Sequence, residues 1–441
     1  MDKETTVPEV RRSGRLYYLD WIRIIALAGV IFVHSTNISG DWFDQPLDLG
    51  FLTLLLVFLA PAGISVFFLV SGSSSMFALD HRSSSEFLKE RLLRLAVPFL
   101  FFSAVITPYL FWLANQAIPN AKPFSVKETT LANESSFWDV STYIEFMGYV
   151  FTEAIPSNFY VVPPFTPGWT LAIGGHLWFL AFLFAFSVVG LPVLQWLRSG
   201  GGRGLVDFAA RLAVRRVGLI LLALPIIVIG FMGDVMNVVL GIEGLYTAWG
   251  NFFRFFAIFL LGGLLFCDQR MVDAVRQHWP WVLCGAVVGF AGFWVASDGR
   301  DFVGGDLTAG AVVAQGLFLG VMQWCLALLF LRVGMAFLNR GGRGLRYCLG
   351  ISVAAYVLHY PVIATVDFLM VTTFASTAQT LLSVGAWLVW LVVLVTSLTI
   401  LWLIIEFIVR PIPPLRFLLG VPRRRLPSPP TSGVKESTPA K

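Results

Sequence analysis

The run "YYLDWIRIIALAGVIFVHS", residues 17–35, settles the class of this chain. It is about as long as a ~30 Å hydrocarbon layer demands of a helix, yet it carries Asp20, Arg23 and His34. Stretches of similar length and apolarity recur through a 441-residue chain that is 57% hydrophobic and 13% charged. A mean hydropathy of +0.78 excludes one or two water-soluble domains of ordinary composition. The sequence predicts an all-α polytopic membrane protein with about ten transmembrane helices, near 17–36, 51–79, 92–114, 173–197, 214–233, 247–267, 280–297, 308–331, 347–371 and 380–409.

Lysine and arginine orient that bundle. Of 31 cations, only Lys122, Lys127 and Arg300 fall in outer segments if the N-terminus is cytoplasmic, and only Arg23 and Arg254 fall inside spans. This asymmetry predicts both termini cytoplasmic, and it makes the net charge of +5 an orientation signal rather than a nucleic-acid footprint. The expected divisions are a cytoplasmic segment 1–15, a transmembrane domain 16–420 with a long extracytoplasmic loop 115–172, and a disordered basic tail 421–441 facing anionic lipid. Asp20 and Arg23 within the first span, with no convincing A-x-A cleavage site, read as a retained helix rather than a cleaved signal peptide. Cys267, Cys284, Cys325 and Cys348 show no C-x-x-C spacing, so neither a disulfide framework nor a metal site is expected.

The opening run has a second property. Residues 23 and 34 differ by eleven, which at ~3.6 residues per turn comes within ~20° of whole turns, so Arg23, Leu27, Val30 and His34 share one stripe. The rise between its ends is ~16 Å, and Asp20 lies one turn before Arg23. Two readings stand: a charged pair that snorkels to the interface, or a face turned to a cavity. His176 in "GGHLWFL" and His359 in "GISVAAYVLHYP" put two more imidazoles in spans of a chain with five histidines. Each alone reads as a helix-contact residue; together with His34 they form a candidate site for proton transfer from a hydroxyl.

At the inner mouth, "VSGSSSMFALD" meets "EFLKERLLRLAVPF". Lys89, Arg91 and Arg94 serve either as positive-inside anchors or as a phosphate site, with Ser71 and Gly72 giving a ligand close access to backbone. The long outer loop carries Trp138, Tyr143, Tyr149, Phe159, Tyr160 and Trp169, and its run "FWDVSTYIEFMGYVF" suits an interfacial helix or a surface that stacks on sugars.

These motifs, with "FFLVSG", "ERLLRLAVPF", "HLWFL", "GISVAAYVLHYPV" and the ending "EFIVRPIPPLRFLLG", occur in an order that resembles the membrane acyltransferase 3 family over residues 16–420. The likeness is strongest to its glucan-modifying branch, the glucans biosynthesis protein C type. It departs from many members in reading "LDWIRIIA" where they read "LDGLRGIA". The resemblance implies ten helices that carry an acyl group from cytoplasmic acyl-CoA to a hydroxyl of an extracytoplasmic glycan or other envelope acceptor. It implies that His34 is the essential histidine, Arg23 its arginine, and Arg91 and Arg94 the R-x-x-R pair.

The expected function is therefore an integral O-acyltransferase using acetyl- or succinyl-CoA and no metal, in a cell membrane such as a bacterial inner membrane. His34, Arg23 and Asp20 are its expected catalytic residues, Arg91, Arg94, Lys89, Ser71 and Gly72 hold the CoA, and His176, Trp178, His359 and Arg254 face the acceptor. Direct transfer and a covalent acyl-histidine both stay open. A secondary transporter or exporter with a proton relay through Asp20, His34, Arg254, His359 and Asp367 is the alternative, and a non-enzymatic partner in a polysaccharide assembly is the third reading.

Overall fold

Apolar segments in lipid must satisfy their backbone internally, so a chain of this composition has helices as its natural spanning element. The computed structural model describes residues 15–42, 51–117, 144, 148, 175–240, 249–297 and 309–422, and among these no strand occurs. The expected loop 115–172, the segment before Arg15 and the tail after Pro422 lie almost wholly outside the described residues.

In chain order the helices are α1 (Tyr17–Trp42), α2 (Phe51–Leu79), α3 (Ser84–Arg91) and α4 (Val97–Ala117), the last two joined through a π turn at Leu92–Ala96. After a short 3-10 turn at Gly175–Leu177 come α5 (Trp178–Val189), α6 (Leu191–Arg198), α7 (Arg203–Ala213), α8 (Gly218–Leu221) and α9 (Leu224–Leu240). The rest are α10 (Trp249–Leu265), α11 (Gln269–Gln277), α12 (Trp279–Ala296), α13 (Ala309–Phe337), α14 (Arg343–Thr372), α15 (Ala375–Val384), α16 (Ala386–Ile404) and α17 (Pro413–Leu418).

Among the described residues seven stretches are long and apolar enough to cross a membrane, and nine if α5–α6, bent by 47°, and α10–α11, bent by 106°, each count as one. The remaining expected span is α2, helical over 29 residues. Exposed Leu100, Met232, Val288 and Val395 on four different helices give the bundle the apolar exterior that lipid requires. The protein is thus an all-α, multi-pass membrane protein.

Two hydrophobic cores meet along α1. Tyr18, Leu19, Ile22 and Ala26 belong to a core shared with α2, α5, α10 and α13. Leu27 and Ile31, further along the same helix, belong to a second core shared with α4, α14 and α16.

Close approach holds the first core. A Cβ at Gly72 would collide with the Phe259 backbone of α10, and one at Gly262 with the Leu69 backbone of α2. Between them Ser73 Oγ donates to the carbonyls of Leu69 and Gly262, each at 2.9 Å. Such an interhelical bond is worth ~0.6 kcal/mol in membranes. The aromatic spine beside it, where Phe68 packs on Phe179, Phe186 and Phe255 at 4.9–5.1 Å, adds about 0.5–1.5 kcal/mol per pair. Packing therefore outweighs the polar glue.

Candidate active site

One end of the bundle collects arginines. Asp20, buried in the first turn of α1, accepts from Arg15 Nε at 2.8 Å and from Arg23 Nη1 at 3.4 Å. Arg23 Nη2 also donates to Ser74 Oγ on α2, which in turn donates to the Val70 carbonyl at 2.6 Å. At the next residue of α2, Ser75 Oγ receives Arg91 Nη2 at 3.1 Å and gives its proton to the Ser71 carbonyl at 2.8 Å. The Arg91 guanidinium rests 4.9 Å over the Phe87 ring and lies within electrostatic reach of Arg23. Two half-buried cations from different helices thus share a serine ledge, a geometry suited to phosphate oxygens.

The other expected members of this group separate from it. Arg94 lies three residues beyond Arg91 within the π turn; its side chain is 74% exposed and pairs with Glu90 at 3.3 Å. Glu90 also takes Arg82 at 2.5 Å. Lys89 is exposed, and Ser71 is half-buried at the start of the ledge. Gly72, expected to admit a ligand to backbone, instead admits α10, because its Cβ position is filled by Phe259.

At the far end of the same α1 face, His34 meets the other two imidazoles. Its ring centroid is 5.4 Å from His359 and 5.2 Å from Tyr360, while His176 is 5.4 Å from His359 and stacks on Tyr360 at 4.9 Å and 9°. His359 is fully buried, His176 nearly so, and His34 half-buried. Proline builds this arrangement. Pro361 sits inside α14 without an N–H, so the carbonyl four residues earlier, Val357, loses its helical donor. His176 Nε2 takes that place at 2.9 Å. Tyr356 Oη closes the other side by donating to the His176 carbonyl at 2.5 Å.

The same bonds assign the ring protons. A carbonyl only accepts, so His176 carries its proton on Nε2, and His359, whose Nδ1 lies 2.6 Å from the Tyr356 carbonyl, carries its own on Nδ1. His176 Nδ1 and His359 Nε2 are left as buried lone pairs with no partner among the described residues. Buried acceptors of this kind call for a hydrogen-bond donor.

A family model described as an acyltransferase domain matches residues 16–406, nearly the whole chain, and so includes both ends of the site. The chain belongs to the acyltransferase 3 family. No curated protein and no solved structure matches it.

Two residues expected on the acceptor side of this acyltransferase do not join the histidines. Arg254 is 2% exposed and is ion-paired to Asp234 of α9, with Asn251 Oδ1 3.5 Å from its Nη1. Gly230, Gly250 and Gly316 crowd the pair so closely that a Cβ at any of them would strike it. Arg254 is therefore a clasp between α9, α10 and α13. Trp178 is buried among Phe182, at 4.9 Å, and Phe255, at 6.1 Å. It belongs to the aromatic spine, two residues along the chain from His176.

Asp234 escaped the sequence reading because the fifth span was expected to end at 233; α9 continues to Leu240. The signal was present, since a carboxylate in the apolar run "GFMGDVM" is the natural counter-charge for an intramembrane arginine. Glu406, read as a partner for Arg410, is one: the two meet at 2.9 Å in a π turn, with Tyr347 Oη donating to Glu406 at 2.7 Å. Asp367 is fully buried on α14, two turns beyond His359.

Proposed function

We propose that this acyltransferase takes an acyl group from acyl-CoA bound at the arginine end, which faces the cytoplasm, and passes it to a hydroxyl of a glycan or other envelope acceptor at the histidine end. The observation that carries this reading is the spacing of Arg23 and His34 on one helix face. The gap of ~16 Å along α1 is close to the reach of an extended pantetheine arm, whose thirteen or so bonds from phosphate to sulfur span roughly 15 Å at backbone-like geometry. With its pyrophosphate on Arg23 and Arg91, the donor presents its thioester beside His34. The two buried lone pairs of His176 and His359 favour an acceptor rich in hydroxyls, since each needs an O–H to donate to it.

His34 then acts as general base. It removes the hydroxyl proton as the oxygen attacks the thioester carbonyl; the C–O bond forms, the C–S bond breaks, and the imidazolium returns the proton to the leaving CoA thiolate. Arg23 lies too far along the helix to stabilise charge at that carbon, so its work is on phosphate. Asp20 positions Arg23 and Arg15.

Membranes holding wild type or His34→Asn, supplied in turn with labelled acetyl-CoA and succinyl-CoA, test the reading. CoA release and label in the glycan fraction are followed. Wild type consumes one donor and His34→Asn, at equal protein level, does not; equal turnover by both proteins rejects His34 as the base, and no turnover of either donor rejects the donor class.

A further inference from the structure

The arginine end holds a second cationic feature that the reaction above leaves unused. A cavity of about 400 Å³ opens between the start of α1 and the turn into α14, lined by Arg15, Tyr17, Gly341, Leu345, Arg346 and Leu349. That volume lies in the range of small-molecule sites, ~300–1,000 Å³. Two cations, Arg15 and Arg346, face an apolar floor of Leu345 and Leu349, so the cavity suits a phosphate carried on a flat apolar body rather than a bare anion.

Its walls are fixed. Trp21 Nε1 donates to the Arg340 carbonyl at 2.9 Å, and the Tyr17 ring fills the space where Gly341 would have a Cβ, so two aromatics of α1 hold the 338–342 turn in place. Arg15 commits its Nε to Asp20 and is one of the residues that line the cavity. Arg346 has no ion pair among the described residues. Asp20 joins this cavity to Arg23, so the two cationic groups form one track along the first turns of α1.

We infer that this cavity binds the nucleotide end of the donor, with the 3′-phosphate of the adenosine on Arg15 and Arg346 and the base over Leu345 and Leu349. The inference rests on the acyl-CoA reading above. Arg15, just ahead of α1, and Arg23 bind the two oxygens of one carboxylate, Asp20, so a ligand that reaches one guanidinium is close to the other. A pyrophosphate on Arg23 leaves the adenosine free to fold back toward the bundle end, where the cavity lies. The same phosphomonoester chemistry occurs in the headgroup of phosphatidic acid, and the experiment separates the two sources.

Wild type and Arg346→Gln, purified in a non-ionic detergent, are titrated calorimetrically with CoA, 3′-dephospho-CoA and phosphatidic acid in mixed micelles. Arg346 is exposed and outside the core, so its replacement leaves the fold intact. Wild type binds CoA about tenfold more tightly than dephospho-CoA, as one charged hydrogen-bonded contact predicts, and Arg346→Gln binds the two alike. Equal binding of both nucleotides by wild type overturns the cavity assignment while leaving CoA as donor. Binding of neither by wild type overturns the donor reading itself. A response of Arg346→Gln confined to phosphatidic acid overturns the inference in favour of a lipid site.

Discussion

The His34 and His359 rings stand 5.4 Å apart, yet no hydrogen bond joins them, and the His359 nitrogen that remains free is a buried lone pair. A polyol acceptor between the two rings would donate one hydroxyl to His359 Nε2 and present a neighbouring hydroxyl to His34 for deprotonation. The roles therefore differ. His34→Asn lowers turnover by about 10²–10⁴-fold, the range of a lost general base. His359→Asn raises KM for the acceptor more than it lowers kcat, which steady-state kinetics at saturating donor reads directly.

Pro361 makes His176 what it is. Pro361→Ala restores an N–H that competes for the Val357 carbonyl, and the His176 ring loses its anchor. The variant unfolds at the same or a higher temperature, because a helical bond is regained, while acyl transfer falls about tenfold, one hydrogen bond's worth of positioning. Loss of both stability and activity in step would show that Pro361 serves the fold alone.

The arginine end makes a graded prediction. Arg91→Gln, which removes a half-buried donor from the serine ledge, raises KM for acyl-CoA about tenfold or more, whereas Lys89→Gln changes it by less than about twofold. Arg94→Gln falls between them, since its exposed guanidinium must leave Glu90 before it can reach a phosphate. Equal effects of Arg91 and Arg94 would mean that the π turn rearranges when donor binds. Donor titration of the three variants separates these outcomes.

Arg254 and Asp234 bear on stability and leave the chemistry alone. Arg254→Met strands a buried carboxylate and costs about 3–5 kcal/mol, while Arg254→Met with Asp234→Leu recovers most of it. Detergent-solubilised unfolding curves measure the cycle. Per-molecule acyl transfer stays within about twofold of wild type in the double variant.

Much of this was legible in the sequence because it is periodic or local. Hydropathy marks the spans, eleven residues place Arg23 and His34 on one face, and Glu406 with Arg410 is a one-turn pair. What escaped depends on which helices touch. Gly72 looks the same in sequence whether a ligand or α10 fills the space above it. Arg254 looks like a substrate cation until Asp234, on a different helix, is seen to take it. The link from Pro361 to His176 runs through a backbone carbonyl, which no side-chain pattern records.

The spacing within α1 acts as a ruler. Inserting one residue between Arg23 and His34 swings the imidazole by about 100° around the helix and lengthens the gap by ~1.5 Å. The angle, far more than the length, is what such an insertion would ruin, since it would carry His34 away from His359 and Tyr360. Point substitutions along this stretch leave the measure intact, but single insertions and deletions do not, and α1 can change length here only by whole turns.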